Sequence, residues 1–298
     1  MIRRPFLLLL AFTAAVVTLS AQTVREDRFF DSKGARIRYV DVGQGEPIVL
    51  IHGFSSSLDA NWGSFGIIDK LSKDFRVVAF DVRGHGKSDK PHDVASYGME
   101  VVDDVGRLLD HLHIGRTHIA GYSMGGAITG KFIVMHSDRV ISAIFGGSSP
   151  RMGWTPQNEQ DAAELANSLE NGQGMRPLIL RLAPPNEPKP SADEIAQRSR
   201  EILARNDALA LAAVQRGNKA LVVTAADVKN LRMPLLAIVG SADPIKAGVD
   251  VFKQAKPEIQ VVVIEGATHS GARGAPAKPE FFAAMRDFLA SHRRTTSQ

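Results

Sequence analysis

Between residues 117 and 135 the chain passes from a strand pattern to a helix pattern through a glycine-flanked serine. Thr117-His-Ile-Ala120 is short and apolar like a buried strand, and Gly126-Ala-Ile-Thr-Gly-Lys-Phe-Ile-Val-Met135 carries apolar residues at helical spacing. Gly121-Tyr-Ser123-Met-Gly125, a G-x-S-x-G sequence, joins them. So sharp a turn strains the serine backbone, and small residues are needed where strand and helix crowd it. Ser123 is therefore expected on a nucleophile elbow at the end of a sheet, as a candidate nucleophile.

Similar apolar runs recur along the chain. Arg36 to Val42 alternates like a half-exposed strand, and a sheet is expected to start there. Pro47 to Ile51 is continuous and apolar, and further strands are expected at Arg76 to Phe80, Val140 to Phe145, Pro234 to Val239 and Glu258 to Ile264. Helix-period segments at Glu100 to Leu112, Ala127 to His136 and Pro279 to Leu289 lie between or after them. This alternation predicts an α/β fold with a mostly parallel central sheet and helices on both faces. Sites in such sheets form beyond the carboxyl ends of the strands.

The alternation stops over residues 151–230, where helix signals recur without a central strand, and this stretch is expected to form an inserted helical cap. Residues 22–150 and 231–298 would then form one core. Thr155 can cap a helix that has Pro156 at its first position, with Asn171-Gly172 as its stop. The proline-rich run Leu182 to Pro190 breaks any helix, and Ser191-Ala-Asp-Glu194 is a capping-box pattern that opens the next one.

A serine nucleophile needs a base within hydrogen-bond reach, and the base needs an orienting acid. His269 follows the strand ending at Ile264 and precedes the last helix, where it can reach over the sheet end. Asp243 follows the strand ending at Val239, while the competing loop Gly146-Gly-Ser-Ser-Pro150 holds no carboxylate. The order along the chain is Ser123, Asp243, His269. Two backbone N–H groups are candidates for the oxyanion hole: Met124, directly after the serine, and Phe54, in His52-Gly53-Phe54 after the first apolar strand. His52 is then a shaping residue rather than a base. Trp62, Phe65, Met152 and Trp154 are candidates for an acyl pocket under the cap, with ordinary core packing as the competing assignment.

On these residues the chain resembles the cap-bearing, esterase-like serine hydrolases of the α/β-hydrolase superfamily, over residues 36–289. The resemblance extends to Asp81-Val-Arg83-Gly84-His85-Gly86-Lys-Ser88, similar to a D-x-R-G-x-G-x-S turn common in that group. It implies a structural turn there with an Asp81 to Arg83 ion pair. It also implies hydrolysis of a carboxylic ester or related acyl bond of a small-molecule substrate through an acyl-enzyme, with no cofactor. Lactone, carbon–carbon or amide hydrolysis, and perhydrolysis, use the same triad. The aspartate nucleophile of dehalogenases and epoxide hydrolases is disfavoured by serine at the elbow. A reading of another class is a ligand-binding receptor with this fold and slow turnover.

Charge and composition narrow the field further. Met1-Ile-Arg3-Arg4, the apolar run to Leu19 and the small residues Ser20 and Ala21 read as a signal peptide over residues 1–21. A secreted or periplasmic product with no stable membrane anchor is the expectation. The formal net charge is +4, and removing Arg3 and Arg4 halves it. The dense basic run His292-Arg-Arg294 lies in a polar tail, so no nucleic-acid partner is expected. No H-E-x-x-H, no paired ligands at metal spacing and no phosphate-loop pattern occurs, so no metal or nucleotide site is expected. The absence of cysteine leaves export undecided on that ground.

Overall fold

A computed structural model describes residues 25–293. The segment read as a signal peptide lies outside the described residues. Eight strands form one sheet: β1 (Arg28–Ser32), β2 (Ala35–Val42), β3 (Pro47–Ile51), β4 (Arg76–Phe80), β5 (Thr117–Tyr122), β6 (Val140–Gly146), β7 (Leu235–Gly240) and β8 (Gln260–Ile264). Their spatial order is β1-β2-β4-β3-β5-β6-β7-β8. The pairs β1/β2 and β2/β4 are antiparallel, and all pairs from β4/β3 onward are parallel.

The sheet begins one strand earlier than the apolar patterning indicates. Arg28-Phe-Phe-Asp-Ser32 is an edge strand whose polar residues blur its alternation. It is joined to β2 by the two-residue turn Lys33-Gly34, both at positive φ (56° and 85°), the geometry whose twist suits a tight hairpin.

The parallel strands are buried on both faces because side chains alternate sides along each of them. In β3, Val49 and Ile51 face one layer while Ile48 and Leu50 face the other, and β7 divides the same way between Ala237 and Ile238. The first layer receives α2 (Met99–His111), α3 (Met124–Met135) and α9 (Lys246–Ala255), through Val105, Phe132 and Phe252 among others. The second receives α1 (Ile67–Leu71) and α10 (Pro279–Ser291), through Ile68, Phe281 and Phe288.

Between β6 and β7 the chain forms five helices: α4 (Pro156–Glu170), α5 (Arg176–Arg181), α6 (Ala192–Leu203), α7 (Ala208–Gly217) and α8 (Ala225–Asn230). Thr155 caps α4 and Ser191 caps α6, each in a reciprocal capping box, and the proline-rich run separates α5 from α6. Leu165, Met175, Ile195 and Leu211 give these helices an apolar cluster of their own, and Phe54 of the core packs against it.

The D-x-R-G-x-G-x-S turn is structural, but its ion pairs differ from the expectation. Asp81 does not pair with Arg83. Its fully buried carboxylate accepts from the Leu58 and Lys87 N–H groups, both at 2.8 Å, and from Arg38 at 3.1 Å. Arg83 turns the other way, to Asp104 at 2.7 Å and the Ser32 carbonyl at 3.0 Å. Each buried charge thus has a partner from another element, which ties the turn to β2 and α2.

Candidate active site

Because β3, β5, β6, β7 and β8 are parallel, their carboxyl ends share one edge, and every candidate side chain hangs from a loop leaving that edge. Ser123 follows β5 with φ 52° and ψ −114°, a conformation a non-glycine residue holds only when its surroundings enforce it. The enforcement is steric. A Cβ at position 121 would lie 2.1 Å from the Gly125 carbonyl oxygen, and one at 125 would lie 2.2 Å from that of Ile51. Only glycine permits the strand–turn–helix crossing to be this tight. Ser148, on the loop after β6, donates its hydroxyl to the Ser123 carbonyl at 2.8 Å and fixes the elbow from the side.

Ser123 Oγ lies 2.9 Å from His269 Nε2, and His269 Nδ1 lies 2.9 Å from Asp243 Oδ2. Asp243 Oδ1 accepts the Ile245 N–H at 2.8 Å, which fixes the carboxylate plane. Both His269 and Asp243 are buried, while Ser123 remains partly exposed. With Nδ1–H donating to Asp243, Nε2 is left as the acceptor for the serine hydroxyl.

The candidate oxyanion donors are the neighbouring N–H groups left without a partner. Gly53 N–H is committed to Asn61 Oδ1 at 2.8 Å. Met124 is the first residue of α3, so its N–H has no partner within the helix and carries the positive end of the helix dipole. Phe54 N–H makes no hydrogen bond among the described residues. The backbone then turns at Ser55, at φ 55°. His52 shapes this loop. Its Nδ1–H donates to the Gly53 carbonyl at 2.8 Å and its Nε2 accepts from Val82 N–H at 2.9 Å, so neither nitrogen is free. Burial holds its pKa below the ordinary value, against the pull of Asp81.

His85 packs edge-on against His52 and Phe54 with ring centroids at 5.2 and 5.6 Å. Burial first, and the neighbouring His52 second, push its pKa down to about 3, so it is neutral at physiological pH. It is a wall of the turn and carries no charge there.

The four pocket candidates fall in different places. Trp62 is a core residue: only 1% exposed, it packs on Tyr122 and Phe281 at 6.4 and 6.5 Å. Its position inside the turn Asp59–Gly63 drives the ring under the elbow. Phe65 packs against the same layer and Met152 against the opposite one, where it bridges to Val223. Trp154 is half-buried, donates Nε1–H to Glu159 at 2.6 Å and lies beneath Arg151.

Three supporting residues escaped the sequence reading. They are Asn61, Ser148 and Tyr122, whose hydroxyl donates to the His269 carbonyl at 2.5 Å. Tyr122 carries the nearest sequence signal, since it is the second residue of the G-x-S-x-G run. Burial, and then the charge of Asp243, raise its pKa well above the ordinary value, which keeps the phenol protonated as a donor. Among the described residues no group of three or more metal-ligating side chains converges, and no helix is long and apolar enough to cross a membrane.

A sequence profile of the alpha/beta hydrolase fold matches residues 46–272. The chain belongs to the alpha/beta hydrolase fold family. Among curated relatives it is 29% identical over 177 residues to a 2-hydroxy-6-oxo-6-(2'-aminophenyl)hexa-2,4-dienoic acid hydrolase of Metapseudomonas resinovorans, covering 57% of each chain. It is 35% identical over 128 residues to haloalkane dehalogenase 2 of Mycobacterium tuberculosis, covering 41% of this chain and 42% of that one. The chain thus spans about half the length of these relatives. Among solved structures, a thermophilic esterase from Thermogutta terrifontis superposes with a TM-score of 0.74 at 24% identity, over 90% of this chain and 100% of the other. This last likeness is one of fold.

Proposed function

We propose that this hydrolase cleaves a carboxylic ester or closely related acyl bond of a small molecule through an acyl-enzyme on Ser123. The observation that carries the reading is the continuous hydrogen-bonded chain from Ser123 Oγ through His269 to Asp243, with both links at 2.9 Å. As Oγ attacks the carbonyl carbon, His269 Nε2 takes its proton, and Asp243 holds the ring and stabilises the imidazolium. The carbonyl oxygen becomes an oxyanion facing the Met124 and Phe54 N–H groups, and in comparable sites each such donor contributes roughly 3–4 kcal/mol. When the tetrahedral intermediate collapses, the bond to the leaving oxygen breaks and His269 returns the proton to it. Water then attacks the acyl-enzyme by the same route and frees Ser123.

Serine at the elbow favours this reading over dehalogenation, which in this superfamily uses an aspartate at that position. Hydrolysis of a hydroxy-oxo-dienoic acid is the second reading, supported by the 29% identical relative. The N-terminal 21 residues further support export to a periplasmic or extracellular compartment, to be checked by N-terminal sequencing of protein recovered from that fraction.

The test is hydrolysis of p-nitrophenyl esters of two, four, eight and twelve carbons by the wild type and by Ser123→Ala. Turnover that falls at least a thousandfold in the variant is expected. Equal turnover by both proteins would overturn the triad assignment, and wild-type inactivity on every ester would favour the second reading.

A further inference from the structure

Arg151 follows the loop after β6, three residues beyond Ser148, which is bonded to the elbow. Its guanidinium forms no hydrogen bond or ion pair among the described residues, and its Nε is buried without a partner. It lies over the face of Trp154, with the guanidinium carbon 5.3 Å from the ring centroid. Its charged neighbour is another cation, Arg181 at the end of α5, and burial and then Arg181 push the Arg151 pKa down to about 10. Arg181 has Asp161 of α4 at 3.7 Å, beyond hydrogen-bond range, and feels Glu164 more weakly. The Arg181 side chain is 36% exposed, and the partial burial of its stem holds its pKa below the ordinary value.

An arginine whose Nε is buried without a partner, with a second cation nearby and no anion of its own, is unfavourable for folding alone. Both arginines lie in segments joined by hydrogen bonds to loops of the candidate active site. The Arg151 segment leads from the elbow-bonded loop. The segment after α5 carries Glu187, which is paired with Arg273, four residues past His269. The α4 acids offset Arg181, so one uncompensated positive charge, that of Arg151, remains.

We propose that Arg151, assisted by Arg181, is a carboxylate-binding subsite, and that the substrates of this hydrolase carry a carboxylate remote from the scissile bond. The guanidinium fork matches a carboxylate in two parallel hydrogen bonds, and a single negative charge matches the single unpaired cation. A phosphate dianion would overcompensate. The substrate clause rests on the hydrolase reading above, whereas the subsite itself does not.

Trp154 makes the subsite measurable without catalysis, because it is one of two tryptophans in the chain and the other, Trp62, is sealed in the core. The experiment titrates hexanoate, hexanamide and inorganic phosphate into Ser123→Ala protein and follows tryptophan fluorescence. Arg151→Met and Trp154→Phe are then introduced separately into that background, with circular dichroism as the folding check. A saturable change with hexanoate is expected, absent with hexanamide, weaker with phosphate and lost in both further variants. No saturable response to hexanoate, an equal response to hexanamide, a stronger one to phosphate, or survival of the response in folded Arg151→Met overturns the subsite.

The substrate clause is tested in active protein with two ester pairs: p-nitrophenyl hydrogen glutarate against p-nitrophenyl pentanoate, and 4-acetoxybenzoate against its methyl ester. In at least one pair the anionic member is expected to show a tenfold higher kcat/KM. Arg151→Met should abolish that preference, read as the anionic-to-neutral ratio of kcat/KM within the one variant. No anionic preference in either pair overturns the clause. Inactivity on all four esters, with the fluorescence response intact, counts against the ester reading and leaves the subsite standing.

Discussion

Tyr122 stands one residue before the candidate nucleophile Ser123 and bonds to the candidate base His269. Its side chain passes beneath the elbow, packs at 5.5 Å from the His269 ring and donates its hydroxyl to the His269 carbonyl. One short segment of β5 thereby positions Ser123 and His269, which lie 146 residues apart in sequence. Removing the hydroxyl leaves a buried carbonyl without that donor, which costs about 1–3 kcal/mol. Tyr122→Phe is therefore expected to lower both stability and kcat, the latter by about tenfold, with KM changed less than twofold. Urea melts and steady-state kinetics on a p-nitrophenyl ester check this. A stability loss with unchanged kcat would make Tyr122 a packing residue only. At this scale the convergence of Ser123, Asp243 and His269 was legible in the sequence, because each sits just after an apolar strand whose carboxyl end lies on one edge of the sheet. Asn61, Ser148 and Tyr122 were not, because their roles depend on which loops meet across the sheet edge.

Elements were legible where one local rule dominated. The continuous apolar runs of β3 and β4 match the observed strands residue for residue, and the capping boxes at Thr155 and Ser191 open α4 and α6 as the side-chain chemistry requires. The short helix α1, the edge strand β1 and the amphipathic α9 were missed. In the first two, tertiary packing and a two-residue hairpin outweigh a weak local pattern, while α9 begins at Lys246 without a side-chain cap. The Asp81 pairing was misjudged for a related reason: adjacency in a turn does not decide which way a buried side chain points. Thr155 offers an element-scale test. Its hydroxyl accepts the Asn158 N–H at 3.2 Å while the Asn158 side chain accepts the Thr155 N–H at 3.0 Å. Thr155→Ala is expected to destabilise α4 by about 1 kcal/mol. Faster amide exchange in the first turn of α4, with β5 and β6 unchanged, would bear this out, and unchanged exchange would count against it.

At the scale of the molecule, the parallel sheet gathers loops scattered through the sequence onto one edge, and the helices between β6 and β7 are tied to those loops by individual hydrogen bonds and ion pairs. Asn206, just past α6, donates to the Ser55 carbonyl at 3.1 Å beside the oxyanion loop, and Asp207 contacts His92 at 3.0 Å. Glu187 pairs bidentately with Arg273 beyond His269. The core carries Ser123, Asp243 and His269, and the helices between β6 and β7 contact the loops beside them. Substrate selection was accordingly the least legible property. It depends on where α5 and the loop after β6 bring Arg151 and Arg181, and neither position is marked by any local motif.

The central claim is that Ser123 is a nucleophile activated by His269. The direct measurement is intact-mass and peptide mapping of the protein after exposure to a fluorophosphonate. The account predicts one adduct per chain on the peptide containing Ser123, slowed at least a hundredfold in His269→Ala and absent in Ser123→Ala. An adduct on another residue, or labelling of Ser123 at an undiminished rate without His269, would contradict it.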